Sequence, residues 1–277
     1  SLVDITQFKE LEQSLRDSER RYRELADALE CRVTQRTREL SEAYRESRNF
    51  AHAVAHDLKA PLRAINGFSA LLEQSASNKL SDTERSYLER ARQGSERMSA
   101  LIDGLLDYSR LEHREQRLQS IDCRSFVRAL VDSMSEPIRE AGAQVSIELD
   151  STPVMADREG LRIALTNLIE NALKFSRKTE TPRISIDSSI EFGRYVLRVR
   201  DNGIGFDAAY RDKIFEIFNR LHASGYEGTG IGLALVRKAV QRMEGEVWAE
   251  STPGEGATFS LSLKLADSME TTPASGA

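Results

Sequence analysis

The sequence predicts a multi-domain chain. A long α-helical coiled coil runs into a dimeric four-helix bundle, both all-α, and an α/β two-layer sandwich follows. Three observations predict it. From Gln7 to Gln74 the only Gly is Gly67 and the only Pro is Pro61, and apolar residues recur at steps of four and three. Ser81-Asp82-Thr83-Glu84 then reads as a capping box opening a second helix. From Ile121 onward, short alternating segments mix with helical ones.

Residues 1–9 (Ser-Leu-Val-Asp-Ile-Thr-Gln-Phe-Lys) read as a short strand before a helix, the end of an upstream domain or a linker. Asp4 or Thr6 could alternatively serve as a helix N-cap. Residues 10–48 read as a coiled-coil helix with the seam Leu11, Leu15, Ser18, Tyr22, Leu25, Leu29. The step from Leu29 to Val33 breaks the alternation as a stutter. The rest of this helix is charged, as in Arg16, Glu19, Arg20, Arg21, Arg23 and Glu24. A helix this long with so narrow a seam cannot bury itself, which predicts a parallel homodimer. Residues 49–113 form a helical hairpin with a loop at 75–80, and two hairpins make the bundle. The polar stretch 114–120 is a linker, 121–265 the α/β domain and 266–277 a disordered tail.

Within the α/β domain, Asp122–Ala141 reads as one helix closed by Gly142, followed by strands Gln144–Leu149 and Val154–Ala156. Arg158–Phe175 is a helix with Leu161, Ala164, Leu165, Leu168, Ile169 and Ala172 on its apolar side. Strands Arg183–Ser189 and Tyr195–Arg200 join around Gly193, and helix Ile231–Met243 precedes strands Glu246–Glu250 and Ala257–Leu263.

With 277 residues, a net charge of −5, 30% charged and 40% hydrophobic residues, the chain has no basic excess for nucleic acid. No apolar run approaches the ~20 residues that span a bilayer, and no signal peptide is visible, so membrane contact within the chain is not expected. Cys31 and Cys123 are far apart and form no metal-type spacing, which suits a reduced, cytoplasmic setting. The first residue is Ser rather than Met, so the expectation is a fragment or processed chain, with anything upstream out of view.

The chemistry concentrates in two places. The first is Phe50 to Leu62. The seam continues through Leu40, Tyr44, Ser47, Ala51, Val54 and Leu58, which puts His56 opposite the seam, facing solvent. Asp57 follows directly, and a neighbouring carboxylate can hold one ring nitrogen protonated and leave the other nucleophilic. Pro61 removes a helical hydrogen bond to Asp57, so a kink is expected. His52 has neither the acid nor the Pro after it and reads as surface.

The second place has four pieces. Asn167, Asn171 and Lys174 share one helix face: amide oxygens suit a hard cation and the ammonium suits phosphate. Asp201-Asn202-Gly203-Ile204-Gly205 combines a carboxylate acceptor with a tight turn. Gly228-Thr229-Gly230-Ile231-Gly232-Leu233 leads backbone N–H groups into a helix N-terminus. Gly254-Glu-Gly256-Ala-Thr258 links two strands. Neither a dinucleotide fingerprint nor a P-loop fits: no strand ends directly before Gly228, and no Gly-Lys-Ser/Thr follows.

The string His-Asp-Leu-Lys-x-Pro-Leu resembles the phospho-acceptor box of sensor histidine kinases of two-component systems. Taken in order, the four pieces resemble the N, G1, G2 and G3 boxes of the catalytic domain of that family, in the gyrase-like ATPase superfamily. Phe215-Glu216-Ile217-Phe218 resembles the F box, and Asp4-Ile5-Thr6 resembles the exit of a PAS-type sensor. The resemblance implies an ATP-dependent kinase that phosphorylates His56 with Asp57 as orienting base, then passes the phosphoryl group to an Asp of a response regulator receiver domain. It implies that Asn171 and Asn167 hold Mg²⁺, that Lys174 and Arg220 contact phosphate, and that Asp201 reads the adenine amine. Gly203, Gly205, Gly228, Thr229, Gly230, Gly232, Leu233 and Thr258 would shape the nucleotide pocket, with 221–227 as a lid. Kinases of this kind often carry Thr or Asn four residues after the His. Here Ala60 stands there, which implies weak phosphatase activity.

Overall fold

The computed structural model describes residues 2–76, 80–219, 221, 226 and 228–266. It divides into two units, residues 1–57 and 58–277.

Helix α1 (Leu2–Ala76) supplies the described residues of the first unit. Nothing before residue 57 interrupts it: there is no Gly or Pro, and pairs such as Arg23–Glu19 (2.6 Å) and Arg38–Glu42 (3.0 Å) support its surface. Each exposed pair adds only about 0.3–0.5 kcal/mol, so the charged face favours solubility more than stability. The strand expected at residues 1–9 is not formed. Leu2 to Lys9 are helical, and Asp4 and Thr6 lie inside the helix rather than at a cap. The reason is that a lone strand here has no sheet to join, while the sequence offers the helix no break.

In the second unit α1 continues through Pro61 to Ala76, and α2 (Asp82–His113) follows. The capping box is present: the Glu84 amide donates to Ser81 Oγ (3.3 Å), and the Ser81 amide donates to Glu84 Oε2 (2.8 Å). Two polar ties join the helices. The buried Ser95 hydroxyl donates to the Leu62 carbonyl (3.0 Å), and Lys59 pairs with Asp103. Loop residues 77–79 lie outside the described residues.

The α/β region has a mixed seven-stranded sheet. Its strands are β1 (Leu118–Asp122), β2 (Gln144–Glu148), β3 (Pro153–Asp157), β4 (Arg183–Glu191), β5 (Arg194–Asp201), β6 (Glu246–Thr252) and β7 (Gly256–Leu265). They run in the order β1-β3-β7-β5-β4-β2, with β6 also on β7. Among the described residues only β2 and β4 pair in parallel. Helices α3 (Cys123–Ser133), α4 (Ser135–Glu140), α5 (Arg158–Ser176) and α6 (Gly232–Arg242) complete the fold. The six apolar positions read on α5 are all buried and pack with Leu197, Leu261 and Leu263 in one core. Cys123 is wholly buried, and burial pushes its thiol up to about 12, which leaves it unreactive near neutral pH.

Two further expectations are corrected. The linker 114–120 is partly strand, since Leu118 to Ser120 belong to β1 and pair with Met155 to Asp157. Its side chains there face solvent, so it reads as polar linker. The single helix Asp122–Ala141 is two helices. Asp122 caps the first through the amides of Arg124 and Ser125 (both 3.2 Å), and the chain breaks at Met134. Pro137 explains the break: it has no N–H for the preceding turn, but fits the first turn of a new helix.

Candidate active site

α5 is fixed at its start by Asp157, whose carboxylate accepts from the Gly160 amide (2.7 Å), the Arg117 amide (3.0 Å) and the Arg114 guanidinium (3.0 Å to both oxygens). Those contacts hold its carboxyl below the usual range against the opposing effect of burial. The helix then presents Asn167, Asn171 and Lys174 to one cavity of about 280 Å³. Asn167 Nδ2 donates to the Ile163 carbonyl (2.8 Å), which leaves Oδ1 on the cavity side. A Cβ on Gly232 would stand 2.6 Å from that oxygen, so the start of α6 passes this close only as glycine.

β5 ends at Asp201, only 5% exposed, on the cavity wall. Burial pushes its carboxyl up to about 6, while the amides of Gly203 and Ala257 pull the other way. The Gly203 amide donates to Asp201 Oδ1 at 2.8 Å. A Cβ on Gly203 would meet the Phe175 carbonyl oxygen at 2.5 Å. Gly203 therefore stands behind the carboxylate and does not line the cavity. Gly205 does line it, with φ +61.

The loop Gly228–Gly232 forms the opposite wall together with Leu233. Gly230 has φ +72, and its carbonyl accepts from the Phe218 amide (3.0 Å). Thr229 Oγ1 accepts from the Ile231 amide (3.3 Å). Lys174 Nζ stands 4.3 Å from the Phe175 ring centroid and 2.7 Å from where a Gly228 Cβ would be.

Of the residues expected at a nucleotide site, Asn167, Asn171, Lys174, Asp201, Gly205, Gly228, Thr229, Gly230, Gly232 and Leu233 come together around this cavity. Thr258 does not. Its hydroxyl accepts from Arg200 Nε (3.2 Å) across β5 and β7, while its neighbours Ala257 and Phe259 line the cavity instead. Arg220 lies outside the described residues, as do 222–225 and 227 of the expected lid; Leu221 and Tyr226 line the cavity. His56 lies on α1, with its side chain outside the described residues, and Asp57 is exposed.

Sequence reasoning missed the apolar wall. Phe175 and Tyr226 have ring centroids 5.2 Å apart, and Phe259 lies 6.2 Å from Phe206. These rings come from separate segments and could accept a flat heterocycle. Glu170, next to Asn171, also lines the cavity, and burial raises its carboxyl. Its position inside the Asn string was the available signal. Among the described residues no group of three or more His, Cys, Asp or Glu side chains could hold a metal alone. The Asn amide oxygens and the Glu170 carboxylate still suit Mg²⁺, which commonly takes a few protein oxygens and completes its shell with phosphate and water.

A flat apolar slot, a single buried carboxylate, paired amides and a glycine loop at a helix N-terminus define a nucleotide site, carried by an α/β domain joined to a helical hairpin. Residues 156–267 match the family described as histidine kinase-, DNA gyrase B- and HSP90-like ATPases. Residues 46–114 match the His Kinase A (phospho-acceptor) domain. The chain belongs to the sensor histidine kinases. It is 35% identical to a phytochrome-like protein of Synechocystis sp., over 84% of this chain and 31% of that protein. It is 27% identical to the sensor protein kinase WalK of Staphylococcus haemolyticus, over 81% of this chain and 38% of that protein. The chain thus spans about a third of the length of the curated relatives it matches. Full-length ShkA in complex with AMPPNP superposes with a TM-score of 0.57 at 27% identity, over 78% of this chain and 46% of that one. The Acinetobacter baumannii histidine kinase AdeS shares the fold, with a TM-score of 0.55 at 20% identity, over 76% of this chain and 98% of that one.

Proposed function

We propose that this chain is the core of an ATP-dependent protein histidine kinase that phosphorylates His56. The observation that carries the reading is the cavity itself. Asn171, Lys174, Asp201 and the Gly228–Gly232 loop surround one space, in a chain that also bears His56-Asp57-Leu58-Lys59-Ala60-Pro61. Asp201 accepts from the adenine amine, and the aromatic wall stacks the ring. Asn171, with Asn167, would hold Mg²⁺, which would neutralise charge developing on the phosphates. Lys174, and Arg220 beyond the F box, contact phosphate.

A ring nitrogen of His56 attacks the γ-phosphorus in line. The new N–P bond forms as the P–O bond to the β-phosphate breaks, and ADP leaves with that electron pair. Asp57 orients the ring and takes its proton. Positioning and charge neutralisation do most of the work. A receiver-domain Asp carboxylate then attacks the phosphohistidine, restoring the imidazole. The chain works as a parallel homodimer through α1 and α2, in a reduced cytoplasmic setting, with residues 10–48 relaying a signal from an upstream sensor. Its phosphatase activity is weak, because the Ala60 methyl can neither donate nor accept a hydrogen bond to position water on the phosphorylated regulator.

The test uses ATP labelled at the γ-phosphate. The wild-type chain should acquire an acid-labile, base-stable label, and His56→Gln should lose it while binding ATP almost unchanged. Asp201→Asn should weaken nucleotide binding, and Asn171→Asp should cut turnover. ATP binding without any label on His56 would favour a different gyrase-like ATPase or a non-catalytic scaffold.

A further inference from the structure

Gly228 and Thr229 line two spaces, the nucleotide cavity and an open groove of about 670 Å³ against the helical hairpin. The far wall of that groove is α2, which contributes Arg90 and Arg97. Seven residues apart, they sit about two turns from each other on the same helix face. The Arg97 guanidinium lies over Gly94, with Nη2 at 3.9 Å from where a Cβ of Gly94 would stand.

The two differ from the other arginines of this helix. Arg92 is held by Glu89 (2.9 Å) and Glu96 (2.7 Å), Arg110 faces Asp107 (3.4 Å), and Arg85 is also engaged. Arg90 and Arg97 have no hydrogen-bond or ion-pair partner among the described residues. Two uncompensated guanidinium groups on one face therefore look across a groove at the loop proposed to hold phosphate. A planar guanidinium fork matches phosphate oxygens in pairs, and its attraction rises with the charge on the phosphate chain.

We propose that α2 of the hairpin supplies a phosphate contact to the nucleotide in the α/β domain, through Arg97 with Arg90 behind it, and that this contact reads the terminal phosphate. The proposal rests on the kinase reading above and adds a residue to it. Triphosphate occupancy would then favour the arrangement in which α2 faces the phosphate loop. Once the γ-phosphoryl group has left, the diphosphate would lose that contact.

Titration calorimetry on the full chain with Mg²⁺ and either ADP or a non-hydrolysable ATP analogue tests this, for wild type, Arg97→Gln and Arg97→Lys. In Arg97→Gln the preference for the triphosphate should fall about 10-fold with ADP affinity unchanged, as expected for one charge-assisted contact. Arg97→Lys should keep part of it, and autophosphorylation in Arg97→Gln should fall at least as much. A preference unchanged in Arg97→Gln, or a parallel loss of ADP affinity, would overturn the proposal while wild-type nucleotide binding stayed intact. Failure of the wild type to bind either nucleotide would instead sink the underlying kinase reading, and this inference with it.

Discussion

Two helices of this molecule carry the same kind of apolar spacing and meet opposite fates. On α5, Leu161, Leu165 and Leu168 are wholly buried by the chain's own sheet and α6. On the first part of α1, Leu15 is 70% exposed, Leu25 66% and Leu29 60%. Periodicity states which face a helix will bury, but not what covers it. For α5 the cover is α6 together with the sheet strands β5 and β7, supplied later in the same chain. For α1 the seam is narrow and runs for many turns, the geometry of one helix against another. The α/β core, with Leu111 of α2 included, is thus closed by this chain, whereas the α1 seam stays open among the described residues.

The largest expected effect breaks that dependence. Val54 is 39% exposed and Leu58 48%, at successive seam positions near the phospho-acceptor box. Replacing both with Glu places like charges where the dimer would bury apolar groups, at a cost of about 3 kcal/mol or more per buried unpaired charge. Sedimentation at micromolar concentration should show a dimer for wild type and a monomer for the variant, with the thermal unfolding of the α/β domain unchanged. A wild-type monomer, or a variant that stays dimeric, would remove the contrast.

A second prediction tests the closed side of the comparison. Asp201 has its carboxyl raised to about 6 by burial, above an unfolded value near 4. Between those values the folded chain binds more protons than the unfolded chain, so this residue lowers stability as pH rises from about 4 to 6. The full effect is about 2–3 kcal/mol, from a shift of about two units. Urea titrations across this range should show a slope in wild type that Asp201→Asn lacks. Adenine nucleotide affinity should run the other way and strengthen as the carboxylate ionises. Equal slopes in the two proteins would mean that the carboxyl is not desolvated in the free protein.

The same contrast explains what was legible in the sequence. The α5 face and the β4–β5 hairpin could be read because each buries one face against its own chain, so the period survives in the residues. β1 could not, because only Ile121 of its five residues is buried. The helix break at Met134 was readable in principle from Pro137, but the strong apolar face of α3 masked it. At the site, glycines and asparagines gave themselves away because few other residues permit those backbone and ligand approaches. The aromatic wall was hidden because pairing of β5 with β7 brings Phe259 beside Phe206, and no local pattern encodes that meeting.

The smallest expected effect sharpens the comparison by reversing a sign. Phe192 is fully exposed, more so than the α1 seam residues, and its setting differs. It is the first of two residues that turn β4 into β5, with φ +48 followed by Gly193 at φ +76. Both values lie in the left-handed region, which a two-residue hairpin turn of this hand requires and which Asn-Gly fits best. A phenylalanine there holds an unfavourable backbone state and packs on nothing, so Phe192→Asn should stabilise the chain by about 0.5–1 kcal/mol. Leu25→Asn, also an exposed apolar residue made polar, should instead weaken the assembly, because its side chain belongs to a seam. Urea midpoints and sedimentation measured on both variants separate the two cases. An unchanged or lower midpoint for Phe192→Asn would show that this aromatic ring has a packing partner after all, and that exposure in the α/β domain carries the same meaning as exposure on α1.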